Sequence, residues 1–113
     1  MPITNEKLQT YAFLAEMFGD GFFPKPLVEQ GRQILIALCE RIEAAPPRDL
    51  DALYALTHAA TLEFNALDRE FRANKSELET LARDCISLDV CFIAAAYGFD
   101  DADGEELIAP RRW

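Results

Sequence analysis

Five polar residues, Asp51, Tyr54, His58, Thr61 and Asn65, recur at steps of three and four along an otherwise largely apolar segment. On a helix that spacing places them in one strip. His58 is the only histidine in the chain. Further on, Asp89 stands in the centre of a second apolar pattern, in line with Leu78, Cys85 and Ala96. An imidazole, a carboxylate and several hydroxyls are the groups that acid–base catalysis or small-ligand recognition requires. A carboxylate facing inward also needs donors, because burying it unpartnered is costly. Its candidate donors are His58, the hydroxyls of Tyr54, Thr57 and Thr61, and the arginines of the tail. Two readings follow. The residues Tyr54, His58, Thr61, Asn65 and Asp89 form a ligand-binding or hydrolytic site, or they form a satisfied polar cluster that fixes helix register.

Other chemistries are poorly supplied. One histidine, with no Glu-x-x-His or His-x-x-x-His around it, provides neither a carboxylate-bridged metal pair nor a zinc site. The run Asp100-Asp101-Ala102-Asp103-Gly104 invites a calcium loop, but Phe99 and Pro110 then occupy the two end ligand positions. Gly19-Asp20-Gly21 lacks the lysine and the preceding strand of a phosphate loop. Cys85 and Cys91 are six apart and fall on different faces of a helix, while Cys39 and Cys85 read as small core residues. No cofactor, no metal and no catalytic residue is assigned.

The elements that would hold these residues are helical. A first helix is expected over about 5–18, with Thr4 as its cap, Ile3 and Leu8 stapled across it, and a stripe of Leu8, Tyr11, Leu14, Ala15 and Phe18. A second is expected over 26–43, with Pro26 in the first turn and Gly31 on the apolar stripe, where it marks a close crossing. A third runs over 50–72 behind Asp49 as cap, apolar around most of its circumference and therefore central. A fourth spans 77–97, opened by a Ser76/Glu79 capping box and closed by Gly98 and Phe99. The tail, 98–113, is pinned by Leu107, Ile108 and Trp113. Phe22 and Phe23 either plug one end or project towards a partner. Short connections imply antiparallel neighbours, so the expected architecture is a single-domain, all-α, up-down-up-down four-helix bundle with an acidic tail packed on it.

Acids outnumber bases 20 to 11 among the 113 residues, for a formal charge of −9, and half the residues are hydrophobic. That balance disfavours phosphate backbones and anionic lipid, and it is compatible with a basic protein partner or simply with solubility. Residues 76–106 carry nine acids against Arg83 alone. The densest part, Asp100, Asp101, Asp103, Glu105 and Glu106, is the candidate acidic face. The start, Met1 to Glu6, lacks a basic stretch leading into an apolar run, and no apolar run approaches the length of a membrane span. Three cysteines then suggest free thiols in a reducing cytoplasm. The chain is expected as a monomer or homodimer.

Several stretches together resemble a bacterial family known as domain of unknown function 5713. They are Tyr54-Ala-Leu-Thr-His-Ala-Ala-Thr61 with Glu63-Phe64-Asn65, Ala82-Arg-Asp-Cys-Ile86, Ala96-Tyr-Gly-Phe-Asp100, and Glu106-Leu-Ile-Ala-Pro-Arg111 with Trp113. The resemblance implies a bacterial, cytoplasmic, stand-alone helical domain and transfers no catalytic residue. Three functions stay open: an acidic interaction protein of the immunity or inhibitor type, a ligand-binding or hydrolytic domain around His58 and Asp89, and an oligomeric structural or regulatory subunit.

Overall fold

A computed structural model describes residues 3–113. The expectation drawn from the start of the chain falls partly on Met1 and Pro2, outside the described residues. Among the described residues six helices follow in order: α1 (Glu6–Gln9), α2 (Ala15–Phe18), α3 (Lys25–Ala44), α4 (Leu50–Ala73), α5 (Thr80–Ala96) and α6 (Gly104–Leu107). No strand occurs among the described residues. The all-helical class stands, while the first of the four expected long helices does not form as one rod.

The break in that segment has a geometric cause. Leu8, Phe13, Leu14 and Met17 are all buried. At 100° per residue, a straight helix would turn Phe13 and Met17 well over 90° away from Leu8. Two single turns joined through an irregular Tyr11–Leu14 link bury all four. Leu14 takes a left-handed conformation, φ 57°, to start α2, at a backbone cost of about 1–2 kcal/mol. The cap of α1 is Asn5, whose side chain accepts from the Lys7 amide. Thr4, the expected cap, instead donates to Glu43 on α3.

α3 and α4 form the frame. Pro24 caps α3, with Pro26 in its first turn, and the Asp49 side chain accepts from the Ala52 amide to open α4. A Cβ placed on Gly31 would lie 3.0 Å from a Leu14 methyl and 3.2 Å from the Phe64 ring, so the glycine permits a close crossing. Gly31 meets Phe64 and Leu67 at matching distances from the connecting turn, and the two helices therefore run antiparallel. α4 is amphipathic, not central: Leu53, Ala60, Phe64, Leu67 and Phe71 are buried, whereas Ala55, Ala59 and Leu62 face solvent. Phe23 is buried edge-on to Phe71, and Phe22 is 47% exposed.

The start of α5 also departs from expectation. Lys75, at φ 60°, takes the left-handed position after α4. The amides of Lys75 and Ser76 close back on Arg72 and Phe71 as a Schellman turn. Ser76 thus terminates α4 instead of capping α5, which begins at Thr80 behind Glu79 without a side-chain cap. At the other end Gly98, φ 92°, and Phe99 complete the expected Schellman closure onto Ala95 and Ala94. α5 packs against α1, α2 and α6, so both irregular ends of the chain close over it.

Candidate functional site

The strip on α4 is occupied by the chain's own tail. The Tyr54 hydroxyl accepts from the Asp103 amide at 2.9 Å. His58 Nε2 lies 2.6 Å from the Glu106 carbonyl oxygen and 3.2 Å from its carboxylate. Both of those groups only accept, so Nε2 carries the proton and is not a free base or metal ligand. The Asn65 amide donates to the Pro110 carbonyl at 3.0 Å and accepts from the Arg112 amide at 2.9 Å. Tyr54 and His58 stack with their rings nearly parallel. Thr61 turns inward and donates to the Thr57 carbonyl, while Asp51 is exposed in the first turn. Tyr54, His58 and Asn65 therefore make a rail that grips four main-chain groups of the tail.

Beyond the rail, Leu107, Ile108 and Trp113 bury their side chains, with Trp113 edge-on to Phe64. The acids point the other way. Asp100, Asp101, Asp103, Glu105 and Glu106 are all exposed. Asp103 caps α6 through the Glu105 amide, a position where the helix end favours negative charge. Arg111 reaches Glu105 at 3.5 Å.

Asp89 is not part of this cluster. Its side chain is buried, at 4% exposure, and is held from the N-terminal segment: Oδ1 accepts from the Tyr11 hydroxyl at 2.6 Å and Oδ2 from the Leu14 amide at 2.7 Å. None of the donors expected for it, His58, Tyr54, Thr57, Thr61 or the tail arginines, is what binds it. Tyr11 sits in a link that the first-helix expectation placed inside regular helix, which hid both of its donors. Burial raises the Asp89 carboxyl above its ordinary value, against the pull of those two hydrogen bonds. The Tyr11 hydroxyl is raised by its burial and by its bond to Asp89. One turn earlier, burial and the nearby Asp89 charge push the Cys85 thiol to about 11. Cys39 is pushed to about 12, chiefly by burial. Such thiols stay protonated at neutral pH and are poor nucleophiles.

Two further carboxylates do similar work and carry no sequence signal of their own. Glu43 accepts from the Thr4 amide and hydroxyl, the Asn5 amide and the Tyr97 hydroxyl. Burial would raise its carboxyl, but the hydrogen bonds from Tyr97, Thr4 and Asn5 outweigh it and hold the group at about 2. Asp68, buried on α4, accepts from the Leu78 amide and from Arg72. The amide donors, Thr4 and Asn5 to Glu43 and Leu78 to Asp68, lie in backbone without helical periodicity, where pattern reading has nothing to count. Among the described residues no group of three or more His, Cys, Asp or Glu gathers to hold a metal ion, and no helix is long and apolar enough to cross a membrane.

The chain belongs to the family of unknown function DUF5713, whose sequence profile matches residues 7–113. No curated protein and no solved structure matches it.

Proposed function

We propose, for this member of a family without an assigned activity, a non-enzymatic interaction role: an immunity- or inhibitor-type domain of the bacterial cytoplasm whose acidic face recognises a basic protein. One observation carries the reading. The tail's main chain is tied to Tyr54, His58 and Asn65 while its five acids face solvent. A fixed array of like charge loses little freedom on binding, speeds encounter with an oppositely charged partner and repels wrong ones. The three free thiols suit a reducing compartment. A ligand-binding or hydrolytic reading that needs His58 and Asp89 together has less support, since His58 bonds to Glu106 and Asp89 to Tyr11 and Leu14.

The test begins with capture of binding proteins from the native cell at low salt, followed by association kinetics with the captured protein. The comparison variant carries Asp100→Asn, Asp101→Asn, Asp103→Asn, Glu105→Gln and Glu106→Gln together. Asn retains the capping ability of residue 103. The expected result is a basic partner whose on-rate falls roughly 10-fold or more in the variant and with rising salt. Recovery of no basic protein, or an unchanged rate, overturns the proposal.

A further inference from the structure

Among the described residues, the most exposed large apolar side chain is Leu88 on α5, at 69%. It stands between two shallow hollows. One, of about 190 Å³, lies towards the N-terminal segment and is lined by Tyr11, Ala12, Ala15 and Cys85 with the acids Glu16, Asp84 and Asp89. The other, of about 410 Å³, is lined by Asp84, Ser87 and Cys91. Leu88 and Asp84 border both. Cys91 joins the second hollow to the acidic tail: a Cβ built on Gly104 would lie 3.4 Å from its sulfur, and the Asp103 charge, after burial, helps raise its thiol. The acids around Leu88 are therefore Glu16, Asp84 and the buried Asp89, with Asp103 beyond Cys91. The one base on α5, Arg83, has its Nε buried.

An apolar knob between hollows, rimmed by one sign of charge, defines its occupant. A second copy of this chain would set acid against acid across a two-fold contact. Anionic lipid would be repelled in the same way. A basic amphipathic helix fits both features, with apolar side chains at helical spacing entering the hollows on either side of Leu88. Its lysines or arginines would then reach the acids on the rim. We infer that the Leu88 face of α5 is the docking surface for a basic amphipathic helix of the partner, with Glu16, Asp84 and Asp103 as its charged rim. The inference deepens the acidic-face reading above and rests on it.

The probe is a synthetic 18-residue peptide of leucine and lysine, its leucines at helical spacing, titrated against the full chain by fluorescence anisotropy at several salt concentrations. A scrambled peptide of equal composition serves as comparison. The expected result is binding of the ordered peptide that weakens 10-fold or more with Leu88→Ser and is unchanged by Leu62→Ser, while the scrambled peptide is insensitive to Leu88. Leu88 is exposed, so circular dichroism of the variant should match the parent. If Leu88→Ser binds normally while the five-acid variant binds weakly, the docking surface is wrong and the acidic face stands. If neither variant changes binding, both fall. If sedimentation shows a dimer that Leu88→Ser dissociates, the face belongs to a second copy and the inference is overturned.

Discussion

At the N-terminal end, irregular backbone donates to carboxylates: Thr4 and Asn5 to Glu43, and Leu14 to Asp89. At the C-terminal end, irregular backbone is held by side chains that are not carboxylates: a phenol, an imidazole and a carboxamide. The difference tracks charge. The segment 3–18 carries only Glu6 and Glu16 against Lys7, so anionic anchors meet little repulsion there. The segment 100–106 holds five acids, and carboxylates on α4 facing it would repel the segment they had to grip. Side chains without negative charge hold an acidic tail without that penalty. Charged acceptors make stronger hydrogen bonds but couple the N-terminal end to pH.

The comparison is broken most directly at Asp89. Asp89→Ala orphans the buried Leu14 amide and the Tyr11 hydroxyl, and should destabilise the fold by about 3 kcal/mol in urea titration. Asp89→Asn keeps an acceptor and should lose less. At the opposite end, Asn65→Ala removes both bonds to Pro110 and Arg112, at a cost of about 2 kcal/mol. Its signature is local. Trp113, the only tryptophan and 8% exposed, should shift its emission to the red in undenatured protein; an unshifted spectrum would show that the rail does not hold the tail.

The pH dependence should separate the two anchoring carboxylates from each other. Glu43 titrates below its unfolded value, so its stabilisation is full above about 4.5 and is lost as pH falls through about 2. Asp89 titrates above its unfolded value of 3.8, so its contribution is greatest in acid and declines as pH rises through the folded value. Glu43→Gln should flatten the acid limb of the stability profile, and Asp89→Asn should flatten the opposite slope. The smallest effect is expected from Tyr54→Phe, which removes one solvent-facing bond to Asp103. It should cost about 0.5 kcal/mol and leave Trp113 emission unchanged.

Periodicity located the parts of the chain that are periodic. The spans expected for α3 and α4, 26–43 and 50–72, fall within a residue of those observed at each end, because stripe, cap and proline signals agree there. The strip on α4 was legible as a strip, and Asp89 as an inward carboxylate. What the pattern does not encode is who answers them. Apart from the Tyr11 hydroxyl, the partners are peptide groups at Leu14 and in segment 103–112, and any residue except proline carries the same amide. The break at Leu14 was hidden because Leu8, Tyr11, Leu14 and Phe18 keep helical spacing across it. The true start of α5 was hidden because a lysine, not a glycine, takes the left-handed turn at residue 75.

The rail reads peptide groups and not residue types. Its contacts are the amides of Asp103 and Arg112 and the carbonyls of Glu106 and Pro110. Apart from His58's second contact with the Glu106 carboxylate, nothing in it depends on which side chains the tail displays. The display can therefore be rewritten while the mount stays the same. Exchanging the outward residues of the tail would give a series of surfaces of different charge on one scaffold, provided Leu107, Ile108 and Trp113 keep their seats. A domain so built can change the surface it displays by a few substitutions, none of which its core has to accommodate.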